Sequence, residues 1–203
     1  LITNGTLVTD ELADKLAHAG LDSAQVSIEA VTAEVHDEIV GRPGAFEKAV
    51  AAVRRLRDVG IHTHGNTTIS RANIEQLTEM PGFVREQFGG DRFSMNLIIP
   101  TGSAAVNEEL VVRYSEVAPH LEAVIAAAER EDVEFMWYSP VPMCLFNSIP
   151  HGLGSKGCSA CDGLISIAPN GDVLPCASCM DPVGNLPQDG FDAVWQSVKA
   201  RRD

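Results

Sequence analysis

Apolar residues in the first two thirds of the chain switch between two spacings. Short apolar runs at residues 1–3, 24–29, 61–69, 93–99 and 133–138 read as β-strands. Between them, the spacing widens to that of amphipathic helices at residues 10–19, 45–59, 73–80 and roughly 108–131. Leu12 and Leu16 stand four residues apart on the first helix, and Gly20 supplies its stop. Phe46, Val50, Val53 and Leu56 form a stripe on the second, which ends at Gly60. Asn73 and Gln76 have the spacing of a capping box, and Pro119 predicts a break or kink in the last helix. Strands that alternate with amphipathic helices imply parallel pairing, hence an α/β sheet or barrel.

The pattern changes after residue 139. Residues 157–195 are rich in Gly and Pro and hold four of the five cysteines, spaced C-x2-C-x14-C-x2-C at Cys158, Cys161, Cys176 and Cys179. Cys144 lies upstream. Ile165 to Pro175 reads as a β-hairpin, with alternating apolar residues on either side of a Pro-Asn-Gly-Asp turn. The hairpin carries Cys176 back toward the Cys158 knuckle. So many cysteines in a short, Gly- and Pro-rich segment point to a metal or cluster site rather than to buried inert thiols. Spacing alone leaves zinc and iron–sulfur open, because both accept four thiolates.

Composition narrows the class. The chain has 203 residues, 45% hydrophobic, with a net charge of −13. That fits a substantial core and a small appendage, and it argues against a nucleic-acid partner, which needs a basic face. No apolar run reaches the length of a membrane span, so no membrane partner is expected. C-x2-C pairs and an odd number of cysteines fit a reducing cytoplasm better than a disulfide framework. The chain opens on a strand without an initiator Met, which reads as a fragment lacking its N-terminal part.

In parallel α/β folds, sites form at the C-terminal strand ends. There the sequence places small polar residues: Thr3-Asn4-Gly5-Thr6, Ser27 and Glu29, Asn66-Thr67-Thr68, and Asn96 before Leu97. Singly these are turn or cap residues; together they suggest one polar pocket. His62 and His64 lie two apart on one strand with no obvious third ligand, so they read as a polar strand start.

The order TNGT, VSIEA with AEVHD, GRPGAFEKAVAAVRRLRDVGI, NTTISRAN and NLIIPTG resembles the later part of a radical S-adenosylmethionine (radical SAM) barrel. The hairpin NGDVLPC, then Gly184-Asn185, then Phe191, Trp195 and Arg201-Arg202, is similar to the SPASM and twitch extensions of that family. The resemblance implies a partial (β/α) barrel over residues 1–139, followed by a Cys-rich hairpin-plus-helix domain over 140–203. It implies that Thr3, Asn4, Ser27, Asn66 and Leu97 bind S-adenosyl-L-methionine. It also implies an auxiliary 4Fe–4S cluster on Cys158, Cys161 and Cys176, with Cys144 or Cys179 as fourth ligand. It names no catalytic residue.

Two departures stand out. The family's "SlDG" reads Ser-Ile-Glu-Ala here, and the Arg expected after "Hd" is Val40, with Arg42 two positions on as a substitute clamp for the SAM carboxylate. The family's C-x3-C-x2-C loop, which holds the SAM-cleaving 4Fe–4S cluster, does not occur in these residues. That second cluster is expected from the missing N-terminal region, and these 203 residues alone are expected to be inactive. The resemblance further implies an enzyme modifying a peptide or small molecule through a 5′-deoxyadenosyl radical, with a reductant such as a flavodoxin or ferredoxin. The competing expectation is a non-redox α/β protein whose structural zinc ribbon serves as a binding module.

Overall fold

The computed structural model describes residues 1–200, with side chains through residue 198. Arg201 and Arg202 lie outside the described residues. The chain divides into two compact units, Leu1–Lys156 and Gly157–Asp203.

The first unit alternates strand and helix as its hydrophobic periodicity requires. Its elements are β1 (Ile2–Thr3), α1 (Asp10–His18), β2 (Ser23–Ser27), α2 (Ala33–Val40), α3 (Ala45–Asp58), β3 (His62–Ile69), α4 (Met80–Phe88), β4 (Arg92–Leu97), α5 (Tyr114–Glu131) and β5 (Glu134–Trp137). The five strands form one open sheet in chain order, every neighbour parallel. Thr3 stands beside Val26, Ser27 beside Asn66, Asn66 beside Ser94, and Ile69 beside Leu97.

Because side chains alternate across a strand, the sheet has two unlike faces. One face carries Val26, Ile28, Ile69, Phe93, Met95, Leu97 and Trp137 and belongs to a continuous core with α3, α4 and α5. The other carries Ser27, Asn66, Thr68, Ser94 and Asn96. Local rules set the helix ends. The Thr9 hydroxyl accepts the Leu12 amide at 3.2 Å to start α1, and Gly41, at φ 64°, closes α2. The amides of Gly44 and Phe46, at the start of α3, are taken by the Asp37 carboxylate. Val141 and Phe146, past β5, are buried in the same core.

Three expectations are corrected here. The helix expected at 73–80 is a 3-10 turn, Ile74–Glu79, running into α4, and Asn73 makes no capping bond. Its side chain instead accepts from the Ser70 amide and donates to the carbonyls of Glu29 and Thr68, while Gln76 bonds Val31 and Thr32. Both side chains answer the unpaired backbone of the loop after β2 rather than their own helix. The helix expected from 108 starts at Tyr114, after a separate 3-10 turn at Glu108–Leu110. Pro119 sits inside that unbroken helix. Its missing N–H there removes the bond to the Ser115 carbonyl one turn back, a loss that burial of Val117, Leu121 and Val124 outweighs.

The second unit contains β6 (Ser166–Ile167), β7 (Asp172–Leu174), β8 (Gly184–Asn185), α6 (Leu186–Asp189) and α7 (Phe191–Ala200). The expected hairpin is present as the antiparallel β6–β7 pair, and β8 extends it to a three-stranded sheet. Asn185 holds the hairpin turn by donating to the Asn170 carbonyl and the Asp172 carboxylate. Gly171, at φ 89°, packs where an added Cβ would come within 2.7 Å of the Pro187 ring. Val173, Val194 and Val198 make the buried cluster, with Trp195 against it and stacked on Phe191 at 5.9 Å.

Candidate cofactor face and thiol site

The polar face of the sheet is wired by its own side chains. The Ser94 hydroxyl donates to Asn66 Oδ1 at 2.8 Å, Asn66 Nδ2 donates to Asn96 Oδ1 at 2.8 Å, and Asn96 Nδ2 reaches Thr68 Oγ1 at 3.4 Å. Each amide is thereby held in one orientation, which a floor that must present fixed donors and acceptors requires. At its end, Glu29 Oε2 accepts the Thr68 amide at 2.8 Å. The carboxylate occupies the place of the next β2 carbonyl, so a side chain extends the β2–β3 ladder past Ser27. Burial raises the Glu29 pKa from 4.5 to about 7, against the opposing pull of the Thr68 amide.

The structure brings some expected residues together and separates others. Ser27 and Asn66 are register partners on the polar face. Asn4 lies beside Ser27 in one small cavity, its Oδ1 accepting from the amide and hydroxyl of Thr6. Thr3, beside Val26, turns its hydroxyl to the Gly5 amide at 3.1 Å. The Leu97 side chain is buried on the helix-covered face with Ile69 and Met95, and only its amide, donated to Ser139 Oγ at 2.7 Å, faces polar company. Gly5 fixes this corner: at φ 74°, its position leaves no room for a Cβ, which would meet Ala52 Cβ at 2.7 Å and the Ala49 backbone at 3.3 Å. Val40 and Arg42 line the same cavity as Asn4 and Ser27. Ser94 and His36 were not singled out in sequence. Alternation along β4 points to the first, and the second is the His of the AEVHD stretch, to which the sequence pattern assigns no role.

On the opposite side of the row, His64 Nε2 and Arg92 Nε are buried without hydrogen-bond partners. Burial, and then Arg92, lower the His64 pKa. Among the described residues, no three His, Cys, Asp or Glu side chains gather as a single metal ion needs.

All five cysteines are free. Cys144 is exposed and lies in the first unit; the other four lie in the second. Cys158 and Cys161 sit in a knuckle whose turns converge on the Ser159 carbonyl, which accepts from Asp162, Gly163 and Leu164 at 3.0–3.1 Å. Cys161 takes a left-handed φ of 62°, as this tight reversal demands. Cys176 and Cys179 close a second turn through Cys179 N to Cys176 O at 3.0 Å, and the Ser178 amide donates to Cys176 Sγ at 3.3 Å. The second unit thus presents two turn-borne thiol pairs of the residue type that iron–sulfur clusters use, and among the described residues no three of them gather around one point.

Fold and site together define an α/β protein with a polar strand-end face and a separate thiol-bearing hairpin unit. Residues 1–83 match the sequence profile of the Radical SAM superfamily, and residues 158–202 match that of SPASM, an iron-sulfur cluster-binding domain. The chain is thus similar to the radical SAM superfamily over its first two fifths and carries a SPASM match near its C-terminal end. That match sets aside the zinc-ribbon expectation. An AdoMet-dependent heme synthase of Methanosarcina barkeri is 28% identical, aligned over 100% of this chain and 61% of its own length. A PqqA peptide cyclase of Rhizobium meliloti is 26% identical over 98% of this chain and 53% of its own. The crystal structure of Streptococcus suis SuiB bound to S-adenosylmethionine superposes with a TM-score of 0.70 at 19% identity, covering 98% of this chain and 49% of that one. The likeness to SuiB is one of fold. The chain thus spans about half to three fifths of the curated relatives it matches.

Proposed function

We propose that this chain works in a radical SAM enzyme that modifies a peptide or small-molecule substrate. Residues 1–139 supply part of the SAM-binding barrel, and residues 140–203 supply an auxiliary-cluster domain. The observation that carries this reading is the presence in one chain of a wired polar face at parallel strand ends and a four-thiol hairpin unit. When bound and reduced, a SAM-ligating 4Fe–4S cluster supplies the 5′-deoxyadenosyl radical that abstracts a substrate hydrogen. On this reading Asn4, Ser27 and Asn66 present polar groups to SAM, Thr3 shapes the loop beneath it, and Leu97 contributes its backbone and the apolar backing of the face. Cys158, Cys161 and Cys176 hold the auxiliary 4Fe–4S cluster, with Cys144 or Cys179 completing the set. A peptide substrate is favoured by the relative named as a peptide cyclase. A flavodoxin or ferredoxin is the reductant, and the reduced thiols favour the cytoplasm. Among the described residues, no helix is long and apolar enough to cross a membrane.

The test is anaerobic reconstitution of the 203-residue protein. A brown product with about four iron and four sulfide per chain is expected; a colourless zinc protein would overturn the reading. Incubated with SAM and dithionite, it is expected to form no 5′-deoxyadenosine, because the thiolate spacing that leaves an iron open to SAM is not among these residues.

A further inference from the structure

A cavity of about 720 Å³ lies at the N-terminal ends of β4 and β5, the end of the sheet opposite the cofactor face. Ligand-binding clefts span about 300–1,000 Å³, so its size is that of a binding site. Its floor is apolar, with Ile125 of α5, Phe135 and Leu153. Its rim is acidic, with Asp91, Glu129, Asp132 and Glu134, and no lysine or arginine among the described residues borders it. Two guanidiniums reach the rim from outside. Arg92 stands 3.3 Å from Glu134 and 3.9 Å from Asp91, and Arg85 stands 3.9 Å from Asp132. Glu129 has no ion pair among the described residues. The last turn of α5 ends here as well, with the negative end of its dipole. The rim therefore keeps an excess of negative charge.

The backbone beside the cavity is open too. β5 is the last strand of its sheet and, among the described residues, pairs with β4 alone. In a parallel ladder, alternate residues turn their peptide groups to the same neighbour. The amides of Glu134 and Tyr138 go to β4, at 2.7 Å from the Asp91 carbonyl and 3.0 Å from that of Met95. The N–H and C=O of Phe135 accordingly face away from β4, and Phe135 also lines the cavity. A free strand edge selects an extended chain, which an apolar floor by itself would not do. Phe135 and Glu134 lie on opposite faces of β5, so an added strand meets an apolar surface with one set of alternate side chains and a carboxylate with the other. A second copy of this protein fits poorly, because it brings the same net charge of −13.

We propose that the outer edge of β5 and this cavity bind an extended basic peptide segment of a partner, added to the sheet as a further strand. Its peptide groups pair with those of Phe135. Its apolar side chains lie on Phe135, Ile125 and Leu153, and its Lys or Arg side chains meet Glu134 and the rest of the acidic rim. The site is separate from the proposed SAM face and does not depend on it.

The test uses the 203-residue protein and the synthetic peptide acetyl-(Lys-Val)3-amide, with acetyl-(Glu-Val)3-amide as its charge-reversed counterpart. Calorimetry measures binding, and NMR follows hydrogen exchange of the Phe135 amide. The basic peptide is expected to bind and the acidic one to fail, with Phe135 exchange slowed at least about tenfold in the complex. N-methylation of every lysine or of every valine blocks one edge of the peptide and spares the other, so one of these two peptides should keep its binding and the other lose it. Glu134→Gln alters an exposed side chain and should weaken the basic peptide about threefold to fivefold. No binding of the basic peptide, equal binding of the acidic one, or binding of both methylated peptides would overturn the proposal. So would a bound peptide that leaves Phe135 exchange unaltered, since it would occupy the cavity without pairing to the strand.

Discussion

In the first unit, one apolar cluster gathers residues from β2 to β5 and from α3 to α5, from Val8 to Phe146. In the second, the corresponding cluster is Val173, Val194 and Val198. Hydrogen bonds of the Asn170-Gly171-Asp172 turn to Asn185 and tight turns around cysteines take up much of the rest. The first unit has enough buried area to fold on its own terms. The second belongs with small scaffolds whose apolar core is too slight and which need a cross-link or metal to close. A fold that rests on burial tolerates the loss of any one polar contact; a fold that rests on a few ligands does not.

That contrast breaks most sharply at a thiol. Cys176→Ala should reduce bound iron to background and leave residues beyond 156 open to protease, while the first unit survives as a resistant fragment. Limited digestion with mass spectrometry and iron analysis checks both halves, and an intact second unit without iron would remove the distinction. In the opposite direction, Leu121→Ala empties a fully buried position and should cost the first unit about 2–5 kcal/mol with iron content unchanged, measured by urea denaturation.

Glu29 sharpens the comparison from within the first unit. Its folded-state carboxyl holds a proton up to about pH 7, whereas the unfolded chain releases it near 4.5. Between those values the folded state binds more protons, so stability falls as pH rises through the window. The loss should be about 2–3 kcal/mol. Glu29→Gln keeps an acceptor for the Thr68 amide and should flatten that slope in denaturation series from pH 4 to 8. The smallest effect belongs to Asp10→Asn. The Asp10 side chain is 85% exposed in its pair with Arg55, and its loss should lower the unfolding free energy read from urea denaturation by no more than about 0.5 kcal/mol.

Much of this was legible in the residue pattern. Alternating spacings gave every strand of the first sheet and its parallel sense, because periodicity reports which face is buried. The hairpin followed from Pro-Asn-Gly-Asp, whose turn chemistry is local. The misreadings came where a side chain answers a distant backbone. Asn73 has the spacing of a cap, yet its amide is drawn to the carbonyls of Glu29 and Thr68. Pro119 has the character of a breaker, yet tertiary burial keeps α5 whole. α2, eight residues long, carries too few turns to announce itself by period. At the strand ends, sequence named Thr3 and Leu97 with Ser27 and Asn66, but a one-residue offset in a parallel sheet puts a side chain on the other face. Only register reveals that.

The bare backbone of Gly5 against Ala49 and Ala52 also has a mechanical meaning. Where two surfaces touch through backbone and methyl groups, no long side chain lies between them to swing or compress. The loop after β1 therefore has no slack with respect to α3, and a displacement of that helix would be transmitted to Asn4 without damping. An added methyl group at Gly5 has no space to occupy and would wedge the loop away from the helix, so that Asn4 would no longer be held where α3 sets it.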